Sequence, residues 1–321
     1  MKDAVENGPD PARLKGASLP RTATRLFLAT RPMFFPASVL PVLLGTALGV
    51  REGGDLDVGV AALALGATVL VHAGANTVND VYDDLSGTDV ANLARIYPFT
   101  GGSRFIQNSI LSRGAMLRWG LALLLAAAAA GLALAALKGA VVIGLGVAGG
   151  LLAVGYSAAP LRLSTRGLGE VAVGVGFGVL PVMGAAWLQS GRFSADALLI
   201  SLPLALWVFN ILLINEIPDM AADAQAGKRT LPVRLGRRAA AVIYAATNAL
   251  ALAAVAFAVS EDLLPPLAIA VPLLLAMAAL CVAAKLVGAE SARLVLERTI
   301  KATLAVHTFG GLWLTAFVAA S

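Results

Sequence analysis

A single cysteine, Cys281, and two histidines, His72 and His307, are the only thiol and imidazole groups among 321 residues. One thiol builds neither a disulfide framework nor a Cys-x-x-Cys metal site, and Cys281 lies inside an apolar run, where it reads as a small packing residue. Charge is scarce as well: 13% of residues are Asp, Glu, Lys or Arg, 59% are hydrophobic, and the mean hydropathy is +0.83. Soluble globular chains carry about 25% charged residues, so the composition excludes that class and indicates an integral membrane protein. The first 25 residues are polar, rich in Pro and Gly, and lack the apolar core of a signal peptide. They read as a flexible cytoplasmic tail, 1–25, ahead of one transmembrane domain, 26–321. A Walker-type phosphate loop is missing too, since TGGSR at 100–104 lacks its spacing.

Long apolar runs fill most of the remainder. Crossing about 30 Å of hydrocarbon takes about 20 residues, and the need to satisfy backbone polar groups internally makes such runs helical. Nine are expected, at 33–50, 58–79, 115–136, 139–157, 168–189, 195–215, 239–259, 263–284 and 300–320. All but Arg51, Lys138 and Arg192 of the 24 Lys and Arg fall before the first run or after the second, fourth, sixth and eighth. By the positive-inside rule the N-terminus and those loops are cytoplasmic and the C-terminus is outside the cell (inner) membrane. The net charge of +5 is therefore a topology signal and not the mark of a nucleic-acid partner.

The acidic clusters fall on that same side. Asn79-Asp-Val-Tyr-Asp83 and Asn215-Glu-Ile-Pro-Asp219 share the pattern Asn, acid, two residues, Asp, and Asp84 and Asp89 follow the first box as Asp223 follows the second. Four spans separate the two boxes, which implies a duplicated four-helix unit with one helix added. On a helix, Asn79 and Asp83 lie one turn apart, as do Asn215, Asp219 and Asp223, and His72 and Asn76 continue the first stripe toward the bundle interior. A carboxylate near a membrane is costly, and two about 4 Å apart repel by roughly 4 kcal/mol at an effective dielectric of about 20. Facing boxes need cations between them. Oxygen donors without Cys or His clusters suit Mg²⁺, which shares itself readily with phosphate. Arg95, Arg104, Lys228 and Arg229 lie close by in sequence to take the remaining phosphate oxygens. Acids, magnesium, bases and an oily interior together describe a site for a lipid diphosphate.

These boxes, with RPMFFPASVLPVLLGTALG (31–49), TGGSRFIQNSILS (100–112), YSAAPLRLSTRGLGE (156–170) and AGKRTLPVRLG (226–236), resemble the UbiA superfamily of membrane prenyltransferases. They are most similar to its 1,4-dihydroxy-2-naphthoate polyprenyltransferases of menaquinone synthesis. The resemblance runs from about Arg31 to the C-terminus and implies an all-α bundle of nine transmembrane helices around a central cavity open to lipid. It also implies that Asn79, Asp83, Asn215, Asp219 and Asp223 hold Mg²⁺ on a polyprenyl diphosphate, with Asp80 and Asp89 in support. By the same resemblance Tyr156, Arg162, Lys228 and Arg229 surround the diphosphate or its covering loop. One departure stands out: where naphthoate enzymes carry Asn-Asn-x-Arg-Asp, this chain has Glu216 and Pro218. Pro218 fits the first turn of a new helix, where its missing N–H breaks no bond. The change of Arg to Glu leaves the aromatic acid open between a naphthoate and 4-hydroxybenzoate.

The chemistry suits the residues. Ionisation of an allylic diphosphate needs fixed positive charge at the leaving group and no protein nucleophile, and the allylic cation then needs a dry pocket. Phe34, Phe35, Phe177, Trp187, Trp207 and Phe209 are aromatic faces available to it. Arg31 either orients an acceptor carboxylate or anchors at the interface, and His72 is the candidate base. Glu170 reads as an ion-pair partner of Arg162 or Arg166. Two other classes share parts of this pattern. CDP-alcohol phosphotransferases concentrate their acids in one contiguous motif, of which Asp89 to Arg95 is a partial echo. Transporters place charge at mid-membrane, where these spans have almost none.

Overall fold

The computed structural model describes residues 8–287 and 293–320; the first seven residues of the expected tail lie outside it. Among the described residues there are helices and no strands. Ahead of the bundle, where a flexible tail is expected, a turn at Pro11–Leu14 is followed by helix α1, Leu19–Ala29. Packing orders this segment. Leu14 and Ala29 bury against Val81, Phe105, Ile110 and Met116, and the Trp119 indole donates to the Leu26 carbonyl at 3.0 Å.

The bundle consists of α2 (Pro36–Arg51), α3 (Val58–Leu85), α4 (Arg113–Lys138), α5 (Val141–Ser157), α6 (Gly169–Ser190), α7 (Ala195–Gln225), α8 (Leu231–Ser260), α9 (Ala270–Val287) and α10 (Arg293–Ala320). Eight of these, counting short helical turns ahead of α2 and α9, are long and apolar enough to cross a membrane. The remaining one, α5, is apolar but has 17 residues, about 25 Å at 1.5 Å per residue. Polar caps set several starts: Asp57, Ser112 and Ser194 each accept the backbone N–H three residues on, opening α3, α4 and α7.

The largest departure from the expected spans is at the ends that carry the boxes. Helices α3 and α7 do not stop at residues 79 and 215 but run six and ten residues further, so both boxes sit on helical extensions of buried spans. Pro218 therefore lies inside α7 and does not begin a new helix, at the cost of one backbone hydrogen bond.

Close packing depends on glycine at particular contacts. A Cβ on Gly45 would stand 2.2 Å from the Val182 carbonyl, one on Gly49 2.4 Å from that of Ala186, and one on Gly178 2.2 Å from Ala205 Cα. These fix α2 and α7 against α6 at backbone contact, as small residues do in lipid. Within α6, a π-turn at Val175–Val179 re-aims the helix, and Phe177 at its centre sets its ring 4.5 Å from that of His72.

Candidate active site

The two boxes meet at one end of the bundle, each held by a segment that follows the other. From the turn after α7, the Lys228 ammonium donates to Asp83 of the first box and lies 3.9 Å from Asp223 of the second. From the segment after α3, Asn92 Nδ2 and the Gly101 N–H donate to the two oxygens of Asp219, at 2.6 and 3.1 Å. Lys228 thus already stands between the boxes as a cation. Burial works against its charge, but Asp83 and Asp223 outweigh that and raise its pKa.

The connection from 86 to 112 forms the floor. Asp80 accepts the Ser103 N–H at 3.0 Å through one oxygen, and its other oxygen is buried without a partner. Asp89 is 2% exposed and accepts from Gln107 at 3.4 Å, while its carbonyl takes the Arg104 guanidinium. Burial first, then the Asp80 and Asp83 carboxylates, push Asp89 up to about 9. Arg104 is moved the opposite way, downward, by burial and by Arg95. Gly102, at φ +71°, passes so close that a Cβ there would stand 2.6 Å from Asp89 and 3.1 Å from Asp80. No side chain fits there, so only glycine lets the backbone approach both carboxylates this closely. Asp84 belongs to this end but is used differently, paired with Arg113 at 2.6 Å and with Gln107 at 3.1 Å.

Asn79 and Asn215 also line the polar end of a cavity of about 170 Å³ that runs into the bundle. Arg31, His72, Asn76 and Tyr156 line it as well, with Phe34 and Phe177 on its apolar walls. Asn79 is tethered to Ser157 at 3.0 Å and Asn76 to the Thr30 carbonyl at 3.1 Å, whereas Asn215 Oδ1 is buried without a partner. Arg31, in a left-handed turn at φ 58°, donates to the Phe99 carbonyl at 2.9 Å and lies 4.9 Å from the Phe34 ring centre. The His72 ring is held between Phe35 and Phe177, and its Nδ1 lies 2.6 Å from the buried Ser38 hydroxyl.

The donors gathered here suit magnesium. The set is oxygen only, with unpartnered buried oxygens on Asp80 and Asn215 and a gap beside Asp80 and Asp89 that a Cβ on Gly102 would fill. No three acidic, His or Cys side chains among the described residues are already drawn together as a cage. Mg²⁺ does not need one, since it keeps several waters and binds through a few carboxylates and substrate phosphate. The residues fit.

Not every expected residue comes to this place. Arg162 and Arg229 are exposed, and it is the Arg229 backbone that is engaged, its N–H donating to the Thr165 carbonyl at 3.1 Å. Glu170 does not pair with Arg162 or Arg166 but is buried, accepting the Leu231 N–H at 3.1 Å where α8 begins, beside Glu216. Of the six aromatic candidates, Trp207 and Phe209 pack in the core and Trp187 stacks on Phe193, which leaves Phe34, Phe35 and Phe177 at the site beside Tyr156. Asn92, Ser38, Ser103 and Ser157 join the site without a motif that marks them in the sequence. Only Asn92 carries a local signal, three residues after Asp89 and just past the helical turn Thr88–Ala91.

The UbiA prenyltransferase family matches residues 38–318. The UbiA prenyltransferase domain-containing protein 1 of Gallus gallus is 33% identical over 219 residues, which cover 68% of this chain and 63% of that protein. Its counterpart in Dictyostelium discoideum is 31% identical over 227 residues, 68% and 66% of the two chains. This chain therefore spans less than two thirds of the length of both. The 1,4-dihydroxy-2-naphthoate octaprenyltransferase of Bacillus subtilis is 27% identical over 230 residues, 70% of each chain. Among solved structures, a UbiA homolog from Archaeoglobus fulgidus bound to GPP and Mg²⁺ has the same fold, with a TM-score of 0.63 at 17% identity, over 91% of this chain and 99% of that one.

Proposed function

The chain belongs to the UbiA prenyltransferase family, and from that premise we propose that it transfers a polyprenyl group from an allylic diphosphate to an aromatic acid, with 1,4-dihydroxy-2-naphthoate as the acceptor. The observation that carries this reading is the meeting of two oxygen-rich boxes, distant in sequence, at the mouth of one apolar cavity. The Archaeoglobus homolog bound to GPP and Mg²⁺ supports the donor class.

Asn79, Asp80, Asp83 and Asp89 from one side and Asn215, Asp219 and Asp223 from the other would hold Mg²⁺, which when bound supplies the positive charge that draws off the diphosphate leaving group. Lys228 and Arg104 add fixed cations beside the same oxygens. Phe34 and Phe177 wall the allylic cation from water, and each aromatic face stabilises it by roughly 0.5–2 kcal/mol. Arg31, at the cavity's polar end, pairs with the acceptor carboxylate. In the tautomer whose Nδ1–H donates to the Ser38 hydroxyl, Nε2 is the free base that takes the acceptor's hydroxyl proton. The ring carbon bearing the carboxylate forms the new bond as the allylic C–O bond breaks, and loss of carbon dioxide returns its electron pair to the ring. With 4-hydroxybenzoate a ring proton leaves instead and the carboxylate stays. The box end faces the cytoplasm, since the segments gathered there carry most of the basic residues, and Arg51, Lys138 and Arg192 lie at the other end.

The test offers each acid in turn to membranes containing the protein, magnesium and a long-chain prenyl diphosphate. Prenylated naphthoate alone is the expected product. Prenylated benzoate alone would reverse the acceptor, and no product from either would remove aromatic transfer.

A further inference from the structure

The first helix, α1, takes no direct part in the site, yet its faces are sharply divided. Thr22, Leu26 and Ala29 turn toward the protein, and Leu26 gives its carbonyl to the Trp119 indole of α4 at 3.0 Å. Leu19, Ala23 and Phe27 follow one another at one-turn spacing along a second stripe. All three are exposed, Leu19 by 82% and Phe27 by 55%. Arg21 and Arg25 lie across the helix from that stripe, and Arg13 and Lys15 come just before it in the chain. From Pro11 to Arg51 there is no acidic residue. Arg21 donates to the Lys15 carbonyl at 3.2 Å, and Arg25 to the Gly16 carbonyl and the Thr22 hydroxyl, each at 3.4 Å. Those bonds are long, and a phosphate oxygen competes with them easily.

An exposed apolar stripe backed by a basic face is the pattern of a helix lying in a bilayer interface, its hydrophobic side among the upper acyl carbons and its cations near phosphate. Position favours that surface. Phe27 meets Phe35 edge-on at 6.3 Å, one residue before α2, and Leu26 is held level with the second turn of α4, so α1 ends where two spans enter hydrocarbon. Its other side backs the acid floor. Leu14 and Ala29 pack with Phe105, Ile110 and Leu111, and Asn108 donates to the Pro9 carbonyl at 3.0 Å. Interleaved with those residues are Ser103, Arg104 and Gln107, which hold Asp80 and Asp89. We propose that α1 docks on the anionic phospholipid surface of the leaflet at the box end, with Leu19, Ala23 and Phe27 inserted and Arg21 and Arg25 reaching phosphate. Docking then clamps residues 103–112 beneath Asp80 and Asp89. The docking stands apart from the prenyl-transfer reading, and only its effect on rate rests on that reading.

The full chain in nanodiscs of phosphatidylcholine, with and without phosphatidylglycerol, tests the docking. In a Cys281→Ser background a spin label is attached at Leu19→Cys, on the stripe, or at Thr24→Cys, exposed on another side of the helix. With phosphatidylglycerol present, the label at position 19 is expected to collide more with oxygen than with an aqueous nickel chelate, and the label at position 24 the reverse. A position-19 label open to the chelate in both lipids overturns the docking. So does one shielded from both reagents, which would mean that a second copy of the chain covers the stripe. Equal immersion in phosphatidylcholine alone overturns the anionic requirement.

The charge and the clamp are tested together by a variant carrying Arg21→Glu and Arg25→Glu, two positions outside the site. Each arginine near an anionic surface strengthens contact about fivefold, so the variant should lose the docked state. In the wild type, phosphatidylglycerol is expected to slow amide exchange over 103–112 and to raise prenyl transfer by about fivefold. In the variant both responses should vanish, with the rate in phosphatidylcholine alone unchanged. Docking without slowed exchange overturns the clamp, and slowed exchange without a change in rate overturns its effect on activity. If neither acid is prenylated in any lipid, the transfer reading falls, while the spin-label and exchange measurements still decide whether α1 docks and clamps.

Discussion

The two boxes read alike and are held differently. Asp83 of the first is gripped by a full charge, Lys228, which arrives from beyond the second box. Asp219 of the second is gripped by neutral donors, Asn92 and the Gly101 N–H, which arrive from beyond the first. Each carboxylate is thus positioned by the opposite half of the chain, and neither half can present its box alone. The difference in charge also matters. A carboxylate satisfied by two neutral hydrogen bonds keeps its negative charge available, whereas one paired with an ammonium has spent much of it until phosphate oxygens draw the lysine away.

The largest expected effect treats the boxes as equals. Asp83→Ala and Asp219→Ala should each lower prenyl transfer by about a hundred- to a thousandfold, the scale of losing a group that stabilises developing charge. Asp83→Ala also breaks the Lys228 pair and Asp219→Ala gives up two neutral hydrogen bonds, so unfolding temperatures should fall modestly in both while the loss of transfer is far larger. Substantial activity in one variant alone would make that box a support rather than part of the site. Next comes the lysine. Lys228→Met leaves Asp83 and Asp223 facing each other without their cation, and removing one partner of a buried pair costs about 3 kcal/mol. Unfolding in the absence of magnesium should show that loss, and added magnesium should restore more stability to Lys228→Met than to the wild type. Asn92→Ala, on the neutral side, should cost about 1 kcal/mol and about tenfold in transfer, with no extra response to magnesium. Equal magnesium responses in the two variants would erase the distinction between the supports.

How much of this was legible beforehand follows from what each feature depends on. The bundle helices seen among the described residues and the two boxes are local: apolar runs and one repeated five-residue pattern carry them, and each box lies on a stripe fixed by helical spacing. Helices α3 and α7 outrun their apolar stretches because hydropathy marks where hydrocarbon ends and not where a helix ends; packing carries both past that line, through Pro218 as well. The cross-bracing was invisible for another reason. Lys228 and Asn92 sit in loops whose residues look like ordinary topology and turn chemistry, and only the fold brings them to carboxylates more than a hundred residues away. Arg162 and Arg229 show the converse, basic residues in the right segments whose side chains the backbone turns outward. Glu170 looked like an ion-pair partner because arginines lie nearby in sequence, yet what it reaches is a backbone N–H at the start of α8.

The smallest expected effect concerns the asparagines that open the boxes. Asn79 is tied to Ser157 of α5, and Asn215 carries a buried oxygen with no partner. Ser157→Ala removes the tether and makes the first asparagine resemble the second. Its amide borders the cavity, so water can replace the serine, and the loss should stay near the lower end of a hydrogen bond's worth, about 0.5 kcal/mol. That corresponds to a twofold to threefold fall in transfer with an unchanged unfolding temperature. If the tether only shapes the pocket wall, Asn79→Ala and Asn215→Ala will still differ in the Ser157→Ala background as they do in the wild type. If it is what separates the two asparagines, the difference will disappear there. A fall of a hundredfold from Ser157→Ala would instead place the serine among the groups that hold the diphosphate, and the first box would then extend across two helices where the second occupies one.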